Sequence, residues 1–257
     1  MSIGVSIPAV LLVGGQGSRL RSVLPSVPKP LAAIGERPFL ELLISQLKNQ
    51  GIRRVVMCTG FLAAHIEDRF GDGAQWGITI SYSREPKPFG TAGALKFAAP
   101  CLRNDDQFFV LNGDSFLDVD FEQLIRFHRR HGGLISMSVV RVSNAGRYGT
   151  VAVAPDGRVH GFFEKTFVDQ PGVINAGVYV FNRAVLDYIA EMPASLERDL
   201  FPYVLAQGVY ASEQSGMFID IGTPEDYSRA QSLSGELRAV AFRANETLRR
   251  AIQREKG

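Results

Sequence analysis

The stretch Ala9-Val10-Leu11-Leu12-Val13-Gly14-Gly15-Gln16-Gly17-Ser18-Arg19-Leu20 decides how the first half of the chain is read. Apolar residues from Ala9 to Val13 predict a buried strand, and the glycines that follow predict a tight turn at its carboxyl end. Gly14, Gly15 and Gly17 let the backbone bend sharply and bring N–H groups close to anionic oxygens, and Ser18 and Arg19 add a hydroxyl and a positive charge. An ordinary turn carries glycines too, so the loop alone has two readings. Two better-known phosphate motifs are excluded. A dinucleotide fingerprint starting at Gly15 needs glycine where Leu20 stands, and a P-loop needs a Gly-Lys-Ser/Thr that is absent.

Outward from this strand the pattern alternates. Helix-period segments at 39–50, 62–70, 91–98 and 121–130 separate strand-like runs at 53–59, 78–83 and 107–111. The last of these helices is stopped by Gly132-Gly133. This βαβ rhythm predicts an α/β fold with a Rossmann-like, mainly parallel mixed sheet flanked by helices. After a strand at 134–141 the texture changes. Short strands at 150–154 and 159–164 flank the turn Pro155-Asp156-Gly157 and predict a β-hairpin insertion. Further expectations are a strand at 173–181, helices at 184–190 and 196–207, a strand at 217–221, and a helix at 224–231 with Thr223 as N-cap and Pro224 at its first position. From Gly235 onward, Leu237, Val240, Ala241, Ala244, Leu248, Ala251 and Ile252 recur at helical spacing and predict a C-terminal amphipathic helix. It packs on its own domain or makes a subunit contact, which allows a homodimer. The organisation predicted is one domain over 1–234, in halves of about 1–133 and 134–234, with a helical extension over 235–257.

With 257 residues, 46% of them hydrophobic, the chain can bury a sizeable core. A formal net charge of +2 lacks the excess of a nucleic-acid binder and points to a small-molecule partner. Cys58 and Cys101 make no disulfide framework or metal pair, and no apolar run suits a membrane helix or signal peptide, so the expectation is a cytoplasmic protein without a membrane partner.

Several further positions carry chemistry. Lys29 is pinned between Pro28 and Pro30 in a stretch without evident helical character, so its ammonium is presented from a stiff backbone; a solvated loop lysine is the plainer reading. Asn112-Gly113-Asp114 closes an apolar strand and puts a carboxylate at the carboxyl edge of a parallel sheet, where such folds bind ligands. Asp220, between Ile219 and Ile221 and just before a helix, repeats that arrangement. A carboxylate among apolar neighbours needs a partner, which Mg²⁺ with a nucleotide supplies, although each aspartate could equally cap a turn. Gly90 and Thr91, with Ala92 and Gly93, open a helix with small residues that would let a planar base approach the backbone. Gly149, Glu164, Lys165 and Asn175 cluster around the hairpin and the strand after it, where they could also be ordinary polar surface. Asp118 and Asp120 form a D-x-D string, but Asp120 reads as an N-cap. His128 and His131 sit in too cationic a run to favour a metal and are expected to be exposed.

The 14–20 loop followed by Pro28-Lys29-Pro30, with the ordered motifs after it, resembles the sugar-phosphate nucleotidyltransferases, and the likeness spans about residues 8–232. It implies the fold of the nucleotide-diphospho-sugar transferases. It implies transfer of a nucleotidyl group from a nucleoside triphosphate to a sugar 1-phosphate, with Mg²⁺ on Asp114 and Asp220. Leu12, Gly14, Gly15, Gly17, Ser18, Arg19, Gly90, Thr91, Asn112 and Gly113 would hold the nucleotide. Gly149, Glu164, Lys165 and Asn175 would face the sugar phosphate, and Arg19, Lys29 and Lys165 would supply the catalytic cations. The motifs most resemble guanylyltransferases acting on D-glycero-α-D-manno-heptose 1-phosphate with GTP, which make GDP-heptose for bacterial capsules and surface glycans. Mannose-1-phosphate guanylyltransferases and enzymes for other triphosphates share much of the set. A non-catalytic nucleotide-sugar-binding relative would keep the fold but tends to lose the charged residues retained here.

Overall fold

A computed structural model describes residues 7–20, 23–163 and 168–243. In chain order the elements begin with β1 (Ala9–Leu12), the short pair β2 (Ala33–Ile34) and β3 (Arg37–Pro38), α1 (Phe39–Asn49), β4 (Arg54–Thr59), α2 (Ala63–Phe70), β5 (Thr79–Arg84) and α3 (Gly90–Phe97). They continue with β6 (Gln107–Asn112), β7 (Ser115–Leu117), α4 (Phe121–His131), β8 (Ile135–Val142), β9 (Thr150–Val153), β10 (Val159–Phe163) and β11 (Gly172–Asn182). The last are α5 (Phe201–Tyr203), β12 (Val209–Gln214), β13 (Phe218–Asp220), α6 (Pro224–Ser232) and α7 (Ser234–Ala241).

Nine of the described strands form one sheet. β5, β4, β1 and β6 are parallel neighbours in that order, β11 runs antiparallel beside β6, β8 runs antiparallel beside β11, and β12 returns parallel to β8. The hairpin β9–β10 joins β11 at Ile174–Thr150. Strand alternation divides two cores. Ala9, Leu11, Val55, Met57, Phe109 and Leu111 face a core shared with α1, α2 and α4, whereas Val10, Val56, Phe108 and Val110 face one shared with α3 and the 185–204 segment. Because helices cover both faces, the central strands are apolar throughout rather than alternating. The result is a three-layer α/β sandwich in which β1, β4 and β6 end at the same edge, with Leu12, Cys58 and Asn112 in register.

The local signals hold in detail at two caps. Asp120 accepts from Gln123 N at 3.0 Å and caps α4, and Thr223 accepts from Asp226 N at 3.2 Å and caps α6. Three expectations are corrected. Lys29 lies in a 3-10 turn, Lys29–Leu31, because Pro28 and Pro30 have the φ such a turn needs and their missing N–H groups fall where no partner is required. The segments expected as helices at 184–190 and 196–207 are irregular: a 3-10 run Arg183–Tyr188, a π-type turn Leu196–Leu200, α5, and a 3-10 turn Leu205–Gln207. Pro202 removes an amide from the second of these and prevents a regular ladder.

The third correction is His128, which is buried rather than exposed. Phe121, Leu124, Ile125 and His128 share the inward face of α4 at helical spacing. Asn182 donates its amide to Gly133 O, so its oxygen accepts from Gln107 and from His128 Nε2 at 3.1 Å. Nδ1 of His128 is then left to accept from the Ser136 hydroxyl at 2.9 Å, and the neutral ring is fully satisfied. Burial lowers its pKa below the ordinary 6.5, with Arg129 and His131 adding repulsion against the bond to Asn182. The unfolded chain therefore takes up this proton at a higher pH than the folded one. Stability from His128 is complete above about pH 6.5 and is lost as pH falls toward the depressed value. Melting curves between pH 7.5 and 5.5 should show a steeper loss in wild type than in His128→Gln; parallel curves would remove this role.

α7 packs Leu237 and Ala241 against the main core, so the described part of the C-terminal segment rests on its own domain. The expected apolar positions Ala244, Leu248, Ala251 and Ile252 lie outside the described residues. No helix among the described residues is long and apolar enough to cross a membrane.

Candidate active site

A cleft of about 650 Å³ opens at the carboxyl edge of β1, β4 and β6. One wall is the turn after β1, with Gly14, Gly15, Gly17, Ser18 and Arg19, and the floor includes Leu12, Asn112 and Gly113. Gly17 has φ +58°, the left-handed conformation that glycine adopts without a steric penalty. Gly90 and Thr91 line the opposite wall at the start of α3. Gly90 is also required there by its own backbone. Its φ is +76°, and a Cβ would stand 2.3 Å from the carbonyl oxygen of Ala194. Thr91 joins the same two segments, its hydroxyl accepting from Leu196 N at 2.8 Å.

The charged groups converge at one end of the cleft. Lys29 donates to Oδ2 of Asp114 at 2.5 Å. The Ser115 hydroxyl lies 3.3 Å from Oδ1 of Asp114 and 3.0 Å from Oδ2 of Asp220, joining two carboxylates 106 positions apart in sequence. β7 and β13 pair antiparallel with Asp220 opposite Ser115, which is how the fold brings them together. Asp220 also accepts from Gly222 N at 2.6 Å. Burial raises the pKa of Asp220 and the negative charge of Asp114 raises it further, while Lys29 and the bonds from Gly222 and Ser115 oppose the rise. The donors are hard oxygens, which suits Mg²⁺ rather than a thiolate- or imidazole-loving metal. No cluster of three or more such ligating residues occurs among the described residues. Two carboxylates fit an ion whose shell is completed by water and substrate phosphate, the usual arrangement for Mg²⁺ at phosphate sites.

The sugar-facing expectations are only partly visible. Glu164 and Lys165 lie outside the described residues. Gly149 is not among the residues lining the cleft, and neither is Asn175. Asn175 donates to the Tyr179 hydroxyl at 2.7 Å and accepts from Gly177 N. Its polar ends are thus spent within β11, whose pairing with β8 shifts register between Asn175 and Tyr179.

Sequence reasoning missed Glu85 and Glu197, both of which line the cleft. Glu197 lies within 3.0 Å of the Ser195 hydroxyl. Glu85 directly follows the carboxyl end of β5, a position that could have flagged it by the same rule that flagged Asp114. Its carboxyl is half-buried and its pKa is raised by that burial, opposed by a bond from Phe89 N at 3.3 Å.

Comparison with known proteins agrees with this architecture. Residues 8–235 match the family described as "Nucleotidyl transferase". The chain is 38% identical over 245 residues to mannose-1-phosphate guanylyltransferase catalytic subunit beta of Danio rerio, covering 94% of this chain and 68% of that protein. It is 39% identical over 230 residues to mannose-1-phosphate guanylyltransferase of Mycobacterium tuberculosis, covering 88% and 64% respectively, so it spans about two thirds of the length of these curated relatives. The crystal structure of HddC from Yersinia pseudotuberculosis complexed with GMP-PN superposes with a TM-score of 0.80 at 30% identity, covering 88% of this chain and 98% of that one. A glycine-lined cleft at the strand edge, with a lysine and two aspartates gathered at its end, thus goes with a match over almost the whole chain, which belongs to the nucleotidyl transferase family.

Proposed function

We propose that the chain joins GMP from GTP to a sugar 1-phosphate of manno configuration, releasing pyrophosphate. The observation that carries this reading is the convergence of Lys29, Asp114 and Asp220 at the end of the cleft lined by the 14–19 loop. A phosphate oxygen of the sugar 1-phosphate attacks the α-phosphorus, and the bond from that phosphorus to the bridging oxygen of the β-phosphate breaks. An anionic nucleophile needs no general base. The barrier lies in charge repulsion and alignment, so the protein's task is to supply cations and oriented N–H groups. The loop amides and Arg19 hold the triphosphate and the departing pyrophosphate, Lys29 neutralises charge near the reacting phosphorus, and Lys165 meets the sugar phosphate. Asp114 and Asp220 would hold Mg²⁺, which supplies charge neutralisation at the phosphates when bound.

GTP is favoured by Glu85. Guanine presents N1–H and the N2 amino group side by side, a pair of donors matched by one carboxylate, whereas uracil and thymine flank their single N–H with oxygens. For the acceptor, the sequence motifs favour D-glycero-α-D-manno-heptose 1-phosphate, giving GDP-heptose for surface glycans. The names of the curated relatives favour mannose 1-phosphate as the second reading.

The test is pyrophosphate release with Mg²⁺ in a matrix of four nucleoside triphosphates against manno-heptose, mannose and glucose 1-phosphates. Release confined to GTP with a manno-configured acceptor is the expected result. Release with glucose 1-phosphate and another triphosphate would overturn the specificity, and silence in every cell would favour a non-catalytic binding role.

A further inference from the structure

Lys29 is held more firmly than a phosphate ligand waiting for substrate would need to be. Its side chain is 9% exposed, and its ammonium sits 2.5 Å from Asp114. The stem leaves a 3-10 turn braced by Pro28 and Pro30 and packs against Gly17, where a Cβ would come within 3.0 Å of Lys29 Cβ. The ammonium also reaches the second carboxylate's neighbourhood: a Cβ on Gly222 would lie 2.5 Å from Asp220 Oδ1 and 3.5 Å from Lys29 Nζ. One internal cation therefore pairs with Asp114 and lies close enough to Asp220 to act on its charge, and the Ser115 hydroxyl links the two aspartates at 3.3 and 3.0 Å. Two partly buried carboxylates this close repel each other, and a positive charge nearby offsets that repulsion.

We infer that in the nucleotide-free chain Lys29 is a tethered counter-cation seated where the divalent ion's charge belongs, so that metal binds tightly only after a triphosphate has drawn the ammonium away. This rests on the reading of Asp114 and Asp220 as the metal carboxylates. An ammonium held on Oδ2 of Asp114 repels a divalent ion brought to the same two carboxylates, and displacing the lysine into water without a new partner loses a charge-assisted bond in a shielded place. A triphosphate removes that loss twice over. It offers Lys29 another anion, and it brings oxygens that complete the ion's shell. Metal and nucleotide then favour each other, and by linkage the coupling is reciprocal.

The experiment uses the full chain and Mn²⁺ as the metal probe, with free Mn²⁺ read by electron paramagnetic resonance in the absence of nucleotide. Wild type should bind weakly. Lys29→Met, checked for folding by circular dichroism and a melting curve, should bind about 10-fold or more tightly, a typical size for such coupling. Lys29→Gln provides a second neutral variant, and Lys29→Arg, which keeps the charge, should bind as weakly as wild type. If both neutral variants bind Mn²⁺ no more tightly than wild type, the counter-cation role is overturned. A parallel calorimetric titration with Mn²⁺ and an α,β-imido GTP analogue separates this from failure of the underlying reading. If Asp114→Asn and Asp220→Asn bind the metal–nucleotide pair as wild type does, the metal assignment itself fails and the inference falls with it. If those variants lose the pair while the Lys29 variants show no gain, only the inference falls.

Discussion

Asp114→Asn is expected to lower kcat by ~10²-fold or more, the usual cost of removing a contact that acts on developing charge, while the melting temperature stays within a few degrees of wild type. The side chain is 36% exposed at the mouth of the cleft, so the isosteric amide opens no cavity. Lys29 loses a charged partner but keeps the Asn oxygen as an acceptor and Asp220 as a nearby anion, which limits the destabilisation to about 1 kcal/mol. The chemical cost has no such compensation. One of two carboxylates able to hold Mg²⁺ is gone, and the amide carries no charge to replace it. Pyrophosphate release at saturating GTP, Mg²⁺ and acceptor, set beside a thermal melt of the same sample, checks both halves. Turnover near wild type would remove Asp114 from the chemistry. Loss of activity together with a collapsed melt would mean the residue is structural.

The parts of this site that could be read in the sequence are those whose chemistry is local. The strand ending at Leu12 and its glycine turn, the caps Asp120 and Thr223, and the strand-end position of Asp114 each depend on a few neighbouring residues. The parts that could not be read depend on distant pairing. Asp220 could be picked out by its apolar neighbours, but its nearness to Asp114 depends on β13 pairing with β7, a three-residue strand with no periodicity of its own. Gly90 stood out for its small size, yet one demand for that size, a carbonyl at Ala194 more than 100 residues later, could not be read from its neighbours. His128 is the instructive failure. Its cationic neighbours suggested exposure, whereas the apolar spacing of Phe121, Leu124 and Ile125 had already placed it on the inward face.

The proposed base-reading role of Glu85 yields the second large effect. Glu85→Gln is expected to lower kcat/KM for GTP by about 10- to 100-fold, since a hydrogen bond to a charged group contributes about 1.5–3 kcal/mol. Glutamine keeps one oxygen, which can still accept from Phe89 N, so the backbone bond at the start of α3 survives the substitution. What changes is the other arm. The Oε2 atom lies beside Gly14 and Gly60, 3.2 and 3.3 Å from where their Cβ atoms would be, on the wall of the cleft. An amide NH₂ there meets a guanine N–H donor to donor, a mismatch that buried sites penalise heavily. Pyrimidine triphosphates never used the second acceptor, so their poor kcat/KM should hold or rise, narrowing the gap to GTP. The measurement is kcat/KM for all four triphosphates in wild type and variant. A uniform fall across the four would mean that Glu85 only braces the loop, and an unchanged preference for GTP would move base recognition elsewhere in the cleft.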